Sequence, residues 1–243
     1  MTEFLNINSE FKVVVDFGVG DKRTTIDINQ LCQSIGLYRC RGMLFLHSFT
    51  GCDYTCGFYG IGKTRWLDLY LGDKISFHEV FNDLSQSPKE ITQEHELVIT
   101  KFVLLAYNCK NSNSMSEGRF DCLTHQHSET LRSLPPSESA LFQHIKRSTY
   151  ISGFLWGKAN EHSPELPDIT DWGWIIHQNV LIPVWTDKTT APQDPYKKVL
   201  RSCQCGEKNS CLKQNCGCKE TQCLPFCRCR GKCNKDNANY KKN

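Results

Sequence analysis

Nine of the chain's fifteen cysteines lie between Cys203 and Cys233, so these thirty-one residues must be cross-linked by metal or by disulfides rather than held by a core of their own. The order is Cys203-x-Cys205-x5-Cys211-x4-Cys216-x-Cys218-x4-Cys223-x3-Cys227-x-Cys229-x3-Cys233, three Cys-x-Cys pairs separated by three single cysteines. Nine is odd, so disulfides alone leave one thiol over. The start, MTEFLNINSEF, carries neither a basic n-region nor an apolar h-region, which points to a reducing, intracellular setting. Zinc is therefore the expected cross-link. Three tetrahedral ions need twelve coordination positions, which nine sulfurs fill if three of them bridge. The expected ligands are Cys203, Cys205, Cys211, Cys216, Cys218, Cys223, Cys227, Cys229 and Cys233.

Charge is divided unevenly along the chain. From Lys197 onward there are twelve Lys or Arg and three Asp or Glu, formally +9, and nine thiolates with three zinc ions would bring this to +6. The preceding 196 residues carry a net of −6. A tail of this sign is suited to phosphates, bound in a salt-dependent way. Lys213, Lys219, Arg228, Arg230 and Lys232 are the expected phosphate contacts, from charge alone. A thiolate cluster that merely stores metal, or a solvated basic end, is the competing interpretation.

The segment SCLKQNCGCKETQCLPFCRCRGKCN resembles a Tesmin/TSO1-like CXC domain. Ser210, Cys211, Leu212, Lys213, Cys216 and Cys218 carry the likeness. Asn215 stands where many members of that family have a tyrosine that enters the DNA minor groove, and there is one repeat rather than two. The resemblance implies a zinc cluster with DNA as partner, and through that a nuclear location.

Earlier in the chain, residues 11 to 15, FKVVV, read as a buried strand, followed by a short strand at Thr24 to Ile26. Asp27 is placed to N-cap a helix over Ile28 to Ile35 that Gly36 closes, and a second helix is expected over Leu37 to Phe49. Next comes TGCDYTCGFYGIGKTRWLDLYLGDKISFHEVFNDL, residues 50 to 84. Gly60-Ile61-Gly62 predicts a tight turn whose bare amides can approach a phosphate, with Lys63 and Arg65 adding charge and a helix over Thr64 to Leu71.

This piece resembles the Gly-x-Asp-Tyr through Gly-Ile-Gly-x-Lys region of flap endonucleases and related 5′-nucleases. The resemblance implies a PIN-like domain with a helix–turn–helix appendage, with Gly60, Gly62, Lys63 and Arg65 on the DNA backbone. It further implies that Asp53 is the last of several carboxylates around two divalent ions, Mg2+ if the nuclease reading holds. Only about fifty residues precede Asp53, whereas one βαβ unit takes roughly 30, so a complete parallel-sheet core is not expected. Asp16, Asp21 and Asp27 are conceivable substitutes, each with an ordinary turn or cap explanation. The region, 1–110, is read as incomplete, and Asp53 as vestigial rather than catalytic.

Ser87-Pro88-Lys89-Glu90 has the form of a capping box with proline at N1, predicting a helix to about Asn108. Residues 111–133 read as a polar loop. Within and beside it, Cys109, Cys122, His125 and His127 have no defensible metal spacing and read as part of that loop, the cysteines, like Cys32, Cys40, Cys52 and Cys56, as buried small side chains. A helix over Glu138 to about Lys158, within 134–162, should bury Leu141, Ile145, Phe154, Leu155 and Trp156 and turn His144, Lys146 and Arg147 to solvent. A linker and a Trp-rich hairpin around His177-Gln178-Asn179 occupy 163–196, its tryptophans better suited to core packing than to base stacking. The zinc module then spans 197–236 and a tail 237–243. The longest apolar run, Phe102 to Tyr107, is far below the ~20 residues a membrane span needs.

The proline-proline helix, the Trp-Gly-Trp hairpin ending in Pro-Val-Trp-Thr and the cysteine-rich tail together resemble animal proteins derived from mobile elements. The expected fold is mostly α with a few short strands. The expected function is non-catalytic, zinc-dependent DNA binding in a chromatin, transcription or element-derived context. A nuclease or nuclease fragment, and a protein-interaction or metal-storage module, are the alternatives.

Overall fold

The computed structural model describes residues 12–72, 76–88, 90–124 and 131–188. The Cys203–Cys233 segment, with His125 and His127, lies outside the described residues.

The described residues are mostly helical, with two small antiparallel strand pairs among them. Strands β1 (Val14–Phe17) and β2 (Thr24–Asp27) form the first pair, Val14 opposite Asp27. The expected strand is there, but β1 is exposed along its length. Its alternation of Val and Phe has no covering layer among the described residues. Helix α1 (Ile28–Ile35) begins where Asp27 accepts from the Gln30 amide at 3.1 Å and ends where the Gly36 amide reaches the Cys32 carbonyl at 2.9 Å. Both caps are the ones the residues predict.

Helix α2 (Leu37–Phe49) is the centre of the body. Its buried side, Phe45, Leu46 and Phe49, meets α3 (Lys63–Gly72), α4 (Ser76–Leu84) and α7 (Glu138–Thr149). The core is aromatic: Phe45 lies 5.0 Å from Phe81, Tyr70 stacks on Phe81 at 5.1 Å, and Trp66 meets Phe102 at 5.3 Å between ring centres. Such rings supply most of the buried area, and each pair adds about 0.5–1.5 kcal/mol beyond it.

Helix α5 (Gln93–Ala106) starts five residues later than its proline suggests. Thr92 and His95 form the capping box, the Thr92 hydroxyl accepting from the His95 amide at 3.3 Å and His95 Nδ1 accepting from the Thr92 amide at 3.2 Å. Ser87 is instead left-handed, φ 57°, and its hydroxyl donates to the Gly153 carbonyl at 2.6 Å. The Ser-Pro pair is thus a packed turn, not a helix start.

The expected polar loop contains α6 (Met115–Thr124), which buries Met115, Gly118 and Cys122 against α5. One hydrophobic cluster runs from Phe45 through Cys122 and Leu134 to Ile145. Helix α7, N-capped by Ser137, passes into a π-helical segment, Tyr150–Trp156, rather than running on as one α-helix. There the Gly157 amide reaches back five residues to the Ser152 carbonyl at 2.9 Å. A second small cluster joins Tyr150, Ile151, Phe154 and Trp172.

The hairpin, β3 (Trp174–His177) and β4 (Val180–Pro183), turns through Gln178 and Asn179 at φ 49° and 60°. Left-handed backbone at both central positions is the type I′ geometry that suits the twist of two strands. Trp172 is buried as expected of core, while Trp185 is 59% exposed. Among the described residues no helix is long and apolar enough to cross a membrane.

Candidate nucleic-acid interface

The glycine turn and the start of α3 are well placed to judge the nuclease-like motif. Gly60 has φ 76°, as a tight turn requires, and a side chain added at Gly60 or Gly62 would meet nothing within 4 Å, so the backbone here is open to approach. The cations beside it are directed elsewhere. Lys63 Nζ donates to the His47 carbonyl at 3.2 Å and to Thr50 Oγ1 at 3.1 Å, and lies 3.3 Å from His47 Nδ1. It therefore closes the C-terminal end of α2, where an ammonium satisfies carbonyls that have no helical partner.

Burial lowers the pKa of Lys63, partly offset by Cys52. Burial also lowers that of His47, reinforced by the Lys63 charge and opposed by Asp53. Arg65 does the same service for α5, its guanidinium donating to the Leu105 carbonyl at 3.2 Å and to Asn108 Oδ1 at 2.5 Å. Both side chains remain exposed at their outer faces, but their polar heads are engaged with helix ends. His47 and Thr50, which the motif does not include, are thus part of the arrangement. The only sequence signal for them is their place at the end of α2.

Asp53 sits on the exposed loop between α2 and α3, where the Cys52 amide donates to the Thr55 carbonyl at 3.0 Å. Two of the substitutes for missing carboxylates are occupied: Arg23 donates to Asp16, and Asp27 caps α1 while pairing with Lys12 at 3.2 Å. Among the described residues no three or more His, Cys, Asp or Glu side chains gather as metal ligands would. Nor do the described strands build a parallel sheet.

No family model, curated protein or solved structure matches this chain.

Two groups expected in solvent are buried instead. His144 packs against Phe49 and Phe58, at 5.1 and 5.2 Å between ring centres, and its Nε2 donates to the Phe49 carbonyl at 2.8 Å. Burial drives its pKa down to about 4, so it is a neutral imidazole whose Nδ1 is left as an acceptor, 3.9 Å from Cys56 Sγ. Arg147 donates to the carbonyls of Gly173 and Val184 and lies over the rings of Trp174 and Trp185, at 5.9 and 5.5 Å. The helical periodicity of α7 could not reveal this, because the hairpin that covers that face lies some thirty residues on.

The other cysteines divide. Cys32 and Cys40 are buried, as are Cys109 and Cys122, whose sulfurs stand 3.4 Å apart, while Cys56 is exposed rather than buried. Burial, first of all, pushes the Cys122 thiol up to about 12. Lys213, Lys219, Arg228, Arg230, Lys232 and the nine tail cysteines lie outside the described residues.

Proposed function

We propose that this chain is a zinc-dependent DNA-binding protein that does not cut DNA, in which the cysteine-rich tail grips the nucleic acid and the helical body carries it. The observation that supports this most is the tail itself. Nine cysteines in three Cys-x-Cys pairs and three singles share it with a net formal charge of +9. Thiolate is the donor that tetrahedral zinc takes, and a compact cluster would hold Lys213, Lys219, Arg228, Arg230 and Lys232 on one small surface. The partner is duplex or branched DNA and the setting nuclear, in a chromatin, transcription or element-derived role. The engagement of Lys63 and Arg65 with helix ends favours the tail over the glycine turn as the main grip, and the scattering of Asp16, Asp27 and Asp53 favours binding over hydrolysis.

Charge reversal at the five tail cations is the direct test. For every phosphate that is no longer neutralised, the plot of log K against log salt should flatten by about 0.9. An unchanged slope would contradict the assignment.

A further inference from the structure

Beside the glycine turn the body carries a cavity of about 330 Å3. Its walls include Phe58, Tyr59, Tyr107, His144, Arg147 and Trp185, and they are mostly apolar. Two features set it apart from a packing defect. Tyr59 and Trp185 are 61% and 59% exposed, large rings left facing solvent at its rim. Such rings are costly to leave bare and are the usual platform on which bases stack. The wall also carries polar side chains, Arg132, Arg147, Tyr107 and buried His144, whose Nδ1 is 3.9 Å from Cys56 Sγ. The size is at the lower end of the range for small-molecule sites.

Position supplies the occupant. Tyr59 directly precedes Gly60, whose turn is open to a phosphate, and Trp185 follows the second strand of the hairpin. We infer that this cavity takes an unpaired nucleobase, stacked on Trp185 and Tyr59, while the adjoining phosphates lie toward Arg132 and the Gly60–Gly62 backbone. This rests on the DNA-binding reading and adds to it a preference for single-stranded or branched DNA over uniform duplex.

The exposed thiol of Cys56 in the cavity wall makes the test direct. The zinc-loaded full chain is alkylated with N-ethylmaleimide and the modification of Cys56 followed by peptide mass spectrometry. This is done alone, with a single-stranded thymidine dodecamer, with an abasic backbone of the same length, and with duplex. The base-bearing strand should slow modification of Cys56 and the abasic strand should not. Trp185→Ala and Tyr59→Ala, both at exposed positions, should each weaken single-strand binding about tenfold, a loss of roughly 1.4 kcal/mol within the range for one stacked base, and leave duplex binding unchanged.

Equal protection by the abasic strand, or none while the oligonucleotide remains bound, would overturn the base site and leave the DNA-binding reading standing. A Cys56 already unreactive in the free chain would mean that the protein fills the cavity itself, and would also overturn it. Absence of binding to every DNA would remove both.

Discussion

Lys63 Nζ stands 3.2 Å from the His47 carbonyl, so the lysine of a motif that resembles a DNA clamp closes the end of α2. Replacing it with methionine keeps the stem but leaves the carbonyl of His47 and the hydroxyl of Thr50 without this donor. The expected cost is about 1–2 kcal/mol in denaturant unfolding. Because the Lys63 charge lowers the pKa of His47, the same variant should raise it, which histidine NMR titration would register. DNA affinity should change much less than on altering the tail.

Arg147 ties the hairpin to α7. Arg147→Met would leave the carbonyls of Gly173 and Val184 without their shared donor and remove a cation from the faces of two indoles, for an expected loss of about 2–4 kcal/mol. Lysine, a point donor on a flexible stem, should restore only part of it. Chemical denaturation of the three proteins decides the matter, and equal stability of all three would refute the role.

The pH dependence follows from His144. Its folded pKa, about 4, lies below the ordinary value near 6.5, so between those values the unfolded chain binds a proton that the folded chain does not. The stability this group contributes is complete above about pH 6.5 and is lost as pH falls toward 4, to a total on the order of 3 kcal/mol. Urea midpoints at pH 7 and pH 5 should differ in that direction. His144→Phe should reduce the difference; an unaltered difference would mean that other groups carry it.

Gly42 offers a test in which propensity and packing oppose each other. Glycine to alanine inside a helix normally stabilises by up to about 1 kcal/mol. Here an added Cβ would stand 2.8 Å from Phe81 Cβ and would crowd the Tyr70 hydroxyl. Gly42→Ala is expected to destabilise by about 1–3 kcal/mol, because α2 must separate from α3 and α4 to make room. A rise in melting temperature would show that the contact is not tight.

Local chemistry was legible and long-range burial was not. Asp27 and Gly36 announced their caps, and Gln178-Asn179 announced a hairpin, because each acts through bonds to its own neighbours. Ser87-Pro88 misled for the opposite reason: its serine bonds to Gly153, sixty-six residues away, and the true cap is Thr92. Helix α6 has no apolar stripe to announce it, since much of what it buries is small, Gly118 and Cys122. In the candidate site, the Gly60 turn could be read from glycine alone. That Lys63 and Arg65 would meet helix ends, and that His144 would be covered by rings from Phe49 and Phe58, required the packing of α2, α3 and α5. For Ser87, Lys63, Arg65 and His144 alike, a polar residue that looked free for solvent or ligand had a backbone carbonyl waiting for it.

The central claim is that a zinc-filled tail binds DNA. It is tested most directly by measuring the zinc content of the full chain together with its affinity for labelled duplex and flap DNA, at two salt concentrations, with and without chelator. Three zinc ions per chain, with binding that weakens in salt and disappears on chelation, is the predicted result. Zinc at that stoichiometry without affinity for either DNA would contradict the account and leave a metal-storage or protein-interaction module in its place.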